Sequence, residues 1–181
     1  MKTMNGLSKS IFLTLTNYKI MKIENNTKIL KITHDDLVNL FSTALFGNNW
    51  VSCEYDKDYY NSLTMGQVQG DCYEDKIADV LLNGGNIYLF DEYAEGECYN
   101  GKGEVIDGDE DGSVMYTINL DDVINGLEAS FNGTFNHDND NMKSWVRECA
   151  EAFAEDDSMN LDLPMADALL QVIMFNEVIY G

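Results

Sequence analysis

Apolar residues return at three- and four-residue spacing in five separate segments, several of them bounded by start or stop signals. Thr33 followed by Asp36 is a capping-box variant, and it opens a helix with Leu37, Leu40, Phe41, Ala44 and Leu45 on one face. Gly47 ends that helix, because glycine enters the left-handed region without a Cβ penalty. Asp71 is placed to cap a second helix, with Tyr73, Ile77, Val80 and Leu81 inward and Gly84-Gly85 as its stop. Asn119 opens a third, carrying Val123, Ile124, Leu127 and Phe131 as far as Gly133. A fourth runs from about Asn141 to Ala154 with Met142, Trp145, Val146, Cys149 and Phe153 in register. Pro164 suits the first turn of a fifth helix, which holds Leu169, Val172 and Ile173.

A one-sided apolar stripe has to be covered by another element, so these helices need partners. Strand composition supplies some of them at Thr27 to Ile32, Trp50 to Tyr55 and Asn86 to Tyr93. Val114 to Ile118 reads as the hairpin partner of the last of these across a long polar connection, and Val178 to Tyr180 as a short closing strand. The expected fold class is therefore α+β: a single compact domain of about five amphipathic helices with short strands and a long-loop antiparallel hairpin. A length of 181 residues suits one core.

Charge divides the chain unequally. Residues 1–34 hold six lysines against Glu24 alone, whereas residues 35–181 hold five basic residues against 31 acidic ones, a balance of -26. Residues 1–20 read as an N-terminal extension and 21–181 as the acidic domain. Such self-repulsion destabilises a compact state and exceeds the magnitude of ~2–8 that keeps a small domain soluble. It also argues against affinity for bare nucleic acid or an anionic membrane, which require cationic surface.

No apolar stretch reaches the ~20 residues of a membrane helix, and no secretory leader pattern is present, so the expected location is the cytosol. Cys53, Cys72, Cys98 and Cys149 are widely spaced and read as reduced thiols filling core space. His34 and His137 have no nucleophile at a recognisable spacing, and phosphate-loop, dinucleotide and hydrolase-elbow patterns do not occur, so no catalytic residue or cofactor is expected. Asp107, Asp109 and Asp111, with Gly112 and Val114, match the first half of a calcium loop. Ile118 stands where the bidentate glutamate belongs, so the alternatives there are a solvated acidic tip and weak divalent-cation binding.

Carboxylates interleave with tyrosines in two runs. One holds Glu54, Tyr55, Asp56 and Asp58; the other holds Asp91, Glu92, Glu95 and Glu97 and leads to Asp107, Asp109, Glu110 and Asp111. Same-face side chains on a strand repeat every ~6.6 Å, close to the phosphate spacing of a nucleic-acid strand. A row of carboxylates could therefore occupy a cationic groove built for phosphate, with tyrosines adding contact area. These twelve residues are the candidate partner-binding set. The last helix, with Met165, Leu169, Val172, Ile173, Met174 and Phe175, is apolar nearly all round, which fits either core or a homodimer face.

Four segments carry a resemblance: Thr43 to Trp50, Leu82 to Asp91, Asn119-Leu120 with Asn125-Gly126, and Ala166 to Gln171 running into Phe175 to Gly181. In this order they resemble a family of small acidic proteins of phages, prophages and gut bacteria, in a branch that includes a type II-A anti-CRISPR protein. The match spans about Met21 to Gly181, and the loop from Glu95 to Ser113 is longer than in typical relatives. The resemblance implies a non-enzymatic inhibitor whose partner is the type II CRISPR effector nuclease with its guide RNA. The lysine-bearing N-terminal segment leaves room for a secondary DNA contact. A DNA mimic directed at restriction enzymes and a divalent-cation-binding protein are the alternatives.

Overall fold

A computed structural model describes residues 19–22, 29–94, 114–154 and 161–180. Strands β1 (Lys19–Lys22) and β2 (Ile29–Ile32) pair antiparallel, Lys19 opposite Ile32. Since β1 begins at Lys19, a boundary at residue 20 would cut through a strand.

Helix α1 (His34–Leu45) starts with the reciprocal cap read from the sequence. The Asp36 backbone N–H donates to Thr33 Oγ1 at 3.2 Å, and Asp36 Oδ2 accepts from the Thr33 backbone N–H at 2.8 Å. Its inward face is Leu37, Leu40, Phe41 and Ala44, all fully buried. The sheet follows the order β3-β4-β5, built from β3 (Val51–Tyr55), β4 (Ile87–Asp91) and β5 (Val114–Ile118), antiparallel throughout. Register places Cys53, Leu89 and Tyr116 side by side, with Tyr55, Ile87 and Ile118 as the next row. Ile87 and Leu89 are fully buried, so this is the face that meets the core.

Between β3 and β4 lie α2 (Lys57–Ser62) and α3 (Tyr73–Leu82). The six-residue α2 interrupts a segment whose sequence suggests no helix. It forms because Asp56 leaves the strand and caps it, Oδ1 accepting from the Tyr59 N–H at 2.9 Å. Helix α3 starts one residue later than expected. Cys72 is the cap position, with Asp75 Oδ2 accepting from its N–H at 2.9 Å, and Asp71 lies outside the helix. Tyr73, expected inward, is 41% exposed; Ile77, Val80 and Leu81 do face the core.

Three helices complete the body: α4 (Leu120–Asn132), α5 (Asp140–Ala154) and α6 (Leu163–Phe175). Asn119 and Asp122 form the capping box of α4, and Gly133 closes it at φ +62°. Arg147 on α5 donates from Nε to the Phe131 carbonyl at 2.9 Å, placing a cation at the negative end of α4. Helix α6 runs through the middle, packed by α1, α4 and α5. Leu169, Val172, Ile173 and Met174 are buried, as the core reading of this helix requires, while Met165 and Phe175 are half-buried. Gly126 of α4 lets the α6 backbone approach: a Cβ there would lie 2.6 Å from Ile173 Cα.

Residues 177–180 are not a strand. A single bridge joins Glu177 to Asn136, and the segment is held instead by Gln171, which is fully buried. Gln171 Oε1 accepts from the Ile179 and Tyr180 N–H groups, both at 2.7 Å, and Nε2 donates to Tyr180 O at 2.8 Å and Asp167 Oδ2 at 2.7 Å. The segment thereby satisfies its backbone through one side chain rather than through a ladder. Six helices and a three-stranded antiparallel sheet among the described residues make this a single compact α+β domain.

Candidate functional site

The end of β3, α2 and the start of α3 meet at a corner where tyrosines and carboxylates collect. In β3, backbone bonds run from the Asp56 N–H to Asn86 O and from the Glu92 N–H to Trp50 O, so the even-numbered residues face β4. Val51, Cys53 and Tyr55 therefore aim their backbone groups at the edge of β3 that no strand among the described residues pairs. The Tyr73 hydroxyl donates to the Cys53 carbonyl on that edge and blunts it as a template for another strand. This bond fixes the Tyr73 ring against β3, 5.5 Å from the Tyr55 ring; the Tyr60 ring also lies 5.5 Å from Tyr55. Lys76 Nζ sits 5.9 Å from the Tyr60 ring centroid.

Carboxylates surround these rings. Burial first, then the charges of Glu54 and Glu74 among its neighbours, push the Tyr73 hydroxyl up to about 12. Tyr60 is also raised, by burial and then by Asp79, Asp71 and Asp75. The Cys53 thiol is pushed up by burial, then by Glu54 and Glu74, which keeps it an unreactive thiol. At the base of the corner Asp79 is fully buried, with both carboxylate oxygens accepting from the Gln69 N–H at 3.1–3.2 Å. Burial raises its pKa, and the Gln69 bond and His34 oppose that. His34, 8% exposed, turns Nε2 toward Asp79 at 3.4 Å and Asp75 at 3.9 Å without a hydrogen bond to either.

Of the twelve candidate residues, the structure gathers Glu54, Tyr55, Asp56 and Asp58 at this corner, but not as a strand row. Only Glu54 belongs to the outward face of β3; Asp56 is a helix cap, and Asp58 is exposed on α2. Asp91 leaves the set as a contact residue, because it is 3% exposed. Its oxygens accept from the Tyr180 hydroxyl at 2.9 and 3.0 Å and from the Tyr93 and Ala94 N–H groups at 3.0 and 3.1 Å. Glu92 is exposed and accepts from Ser52 Oγ across the sheet. Glu95, Glu97, Asp107, Asp109, Glu110 and Asp111 lie outside the described residues, as do Cys98 and the calcium-loop pattern.

Sequence reading missed Asp71, Tyr73, Glu74 and Asp75 as members of the corner. The signal was present: an Asp-Cys-Tyr-Glu-Asp run at a helix start, where acids oppose the macrodipole and their heads remain in solvent. Cys149 is buried as core filling, whereas Cys72 is exposed. Among the described residues no group of three or more metal-ligating side chains converges, and no helix is long and apolar enough to cross a membrane. A shallow depression of about 200 Å³ between α4 and α6 is walled by Asp122, Asn125, Gly126, Val172, Ile173 and Asn176; its one carboxylate is already engaged in the α4 cap.

No protein-family model, curated protein or solved structure matches the chain.

Proposed function

We propose that this protein is a non-enzymatic, phage-derived inhibitor. It binds the type II CRISPR RNA-guided endonuclease through acidic surface and blocks target DNA cleavage. The observation that carries the reading is the acidic and aromatic corner. Exposed carboxylates there flank tyrosine rings fixed by strand-edge and helix-cap geometry, on a body with a balance of -26. The resemblance to a family with an anti-CRISPR branch supports the choice of partner.

Such an effector reads its DNA motif with arginines and holds heteroduplex and displaced strand in cationic channels. An acidic surface is steered to those channels, and held carboxylates compete with phosphate there. Tyrosines contribute contact area at low entropic cost, as interface anchors do. With no carboxylate strand row among the described residues, competition depends there on a compact patch rather than on phosphate-like spacing.

The test is a cleavage assay with purified effector, guide RNA and target DNA, with and without the protein. Inhibition that weakens as salt rises from about 50 to 300 mM is the expected result. Full cleavage at large molar excess overturns the proposal. Inhibition of a restriction nuclease with the CRISPR effector untouched transfers the acidic surface to the DNA-mimic alternative.

A further inference from the structure

We infer that residues 177–180 are a displaceable strap over a tyrosine-recognition slot, and that an extended, tyrosine-bearing peptide of a partner takes the strap's place. The slot is built from α6, the end of β4 and Trp50 rather than from the acidic corner, so it goes beyond the reading above and does not rest on it.

The body holds this segment as a receptor holds a peptide. Gln171 is fully buried; its Oε1 accepts from the Ile179 and Tyr180 N–H groups, and its Nε2 donates to Tyr180 O. One fixed amide thus engages two successive residues through their backbone. The Tyr180 ring centroid lies 4.9 Å from that of Trp50, 5.9 Å from Tyr93 and 6.1 Å from Phe175. Its hydroxyl donates to the Asp91 carboxylate, whose oxygens stand 2.9 and 3.0 Å away on a residue 3% exposed. Among the described residues, Gln171 Oε1 and Asp91 Oδ2 receive no hydrogen bond from outside the strap. Both side chains are more than nine-tenths buried, so opening the slot unpairs two acceptors that favour any ligand restoring the same donors.

The strap is separable from the rest of the fold. An isolated bridge from Asn136 to Glu177 stands where a strand would have a ladder, and Asn176 turns the chain out of α6 at φ +54°. Ile179 is 53% exposed and Val178 half-buried, so Tyr180 is the principal anchor. Opening breaks a few side-chain bonds and leaves the helices packed, as local unfolding does. A tethered strap competes at an effective concentration on the order of 1 mM, so it masks the slot from weak peptides and yields to tight ones. The slot also sets the peptide's chemistry. A phenol fills it and bonds Asp91, phenylalanine fills it without that bond, and phosphotyrosine meets the carboxylate with like charge.

The experiment uses the full chain carrying Tyr180→Ala, which vacates the ring slot and keeps Gln171. Fluorescence anisotropy follows a dye-labelled hexapeptide with the sequence of residues 176–181. The variant is expected to bind it at least about tenfold more tightly than the parent chain, whose own strap competes. It is also expected to prefer it at least about fivefold over the same peptide with phenylalanine for tyrosine. No binding by the folded variant overturns the inference, as do equal affinities for the two peptides. Displacement of the labelled peptide by an equal concentration of p-cresol assigns the slot to a free phenol and overturns the peptide reading; a strap-exchanged dimer of the parent chain in sedimentation assigns it to a second copy and does the same. If circular dichroism shows Tyr180→Ala to be unfolded, hydrogen exchange of the parent chain carries the test. The Ile179 and Tyr180 amides should exchange at least about a hundredfold faster than those of Leu169 and Leu170, and equal rates overturn the strap. No nuclease is present in these measurements, so their failure and the failure of the proposed function are read separately.

Discussion

Gly126→Ala isolates the packing that sets the position of α6. The added Cβ would stand 2.6 Å from Ile173 Cα, 2.6 Å from Ile173 Cγ1 and 3.0 Å from Ile173 N, where 3.4–4 Å is ordinary contact. Two of those three atoms are main chain and cannot rotate away, so relief requires α6 to move by about 1 Å relative to α4. Helix α6 also carries Leu169, Leu170 and Val172, which fill the core against α1 and α5, and a shift disturbs those contacts as well. Overpacking of this kind costs about 3 kcal/mol, the upper part of the usual range. Against it stands the gain of about 1 kcal/mol when alanine replaces a mid-helix glycine. The balance is about 2 kcal/mol of lost stability, or a fall in Tm of about 4–8 °C at ~2–4 °C per kcal/mol for a chain this long. Urea titration followed by far-ultraviolet dichroism measures it, with Gly66→Ala as control, since nothing lies within 4 Å of a Cβ there. A Gly126→Ala protein as stable as the parent would refute the argument that backbone approach dictates this residue.

Gln171→Leu should cost about 2–4 kcal/mol in the same titration, because it strands the Ile179 and Tyr180 N–H groups and the Tyr180 carbonyl together. Asp79→Asn should stabilise the protein at pH 7 by about 1 kcal/mol: the amide removes a buried charge and its oxygen still accepts from Gln69. A variant less stable than the parent would contradict the view that burying the Asp79 carboxylate costs stability. Tyr180 is pushed up to about 12, chiefly by burial and then by its bond to Asp91. A raised folded pKa means its contribution is complete below the unfolded value of ~10 and is lost as pH climbs through 12. Stability should therefore fall across that window, Tyr180→Phe should flatten part of the fall, and Tyr180 should ionise among the last of the tyrosines in an absorbance titration at alkaline pH.

Local physics made much of this chain legible. The Thr33–Asp36 and Asn119–Asp122 caps, the Gly133 stop and Pro164 in the first turn of α6 all stand where side-chain chemistry places them, because each depends on neighbours within four residues. The β4–β5 hairpin followed from strand composition alone. The α+β class followed in the same way, from periodicities that a backbone satisfies locally.

What failed depended on partners far along the sequence. Asp91 reads as a surface acid among acids, yet Tyr180, 89 residues away, takes its carboxylate inside. Residues 177–180 have strand composition but pair with the side chain of Gln171 instead of another strand. Tyr73 sits at an inward helical position and turns out, because its hydroxyl finds the free edge of β3. Composition determined that the protein would be acidic, and local capping chemistry determined where α1 and α4 would start. Only the packed structure decided which carboxylates reach solvent beside a fixed ring, since burial is set by the element lying opposite, and no local pattern encodes that.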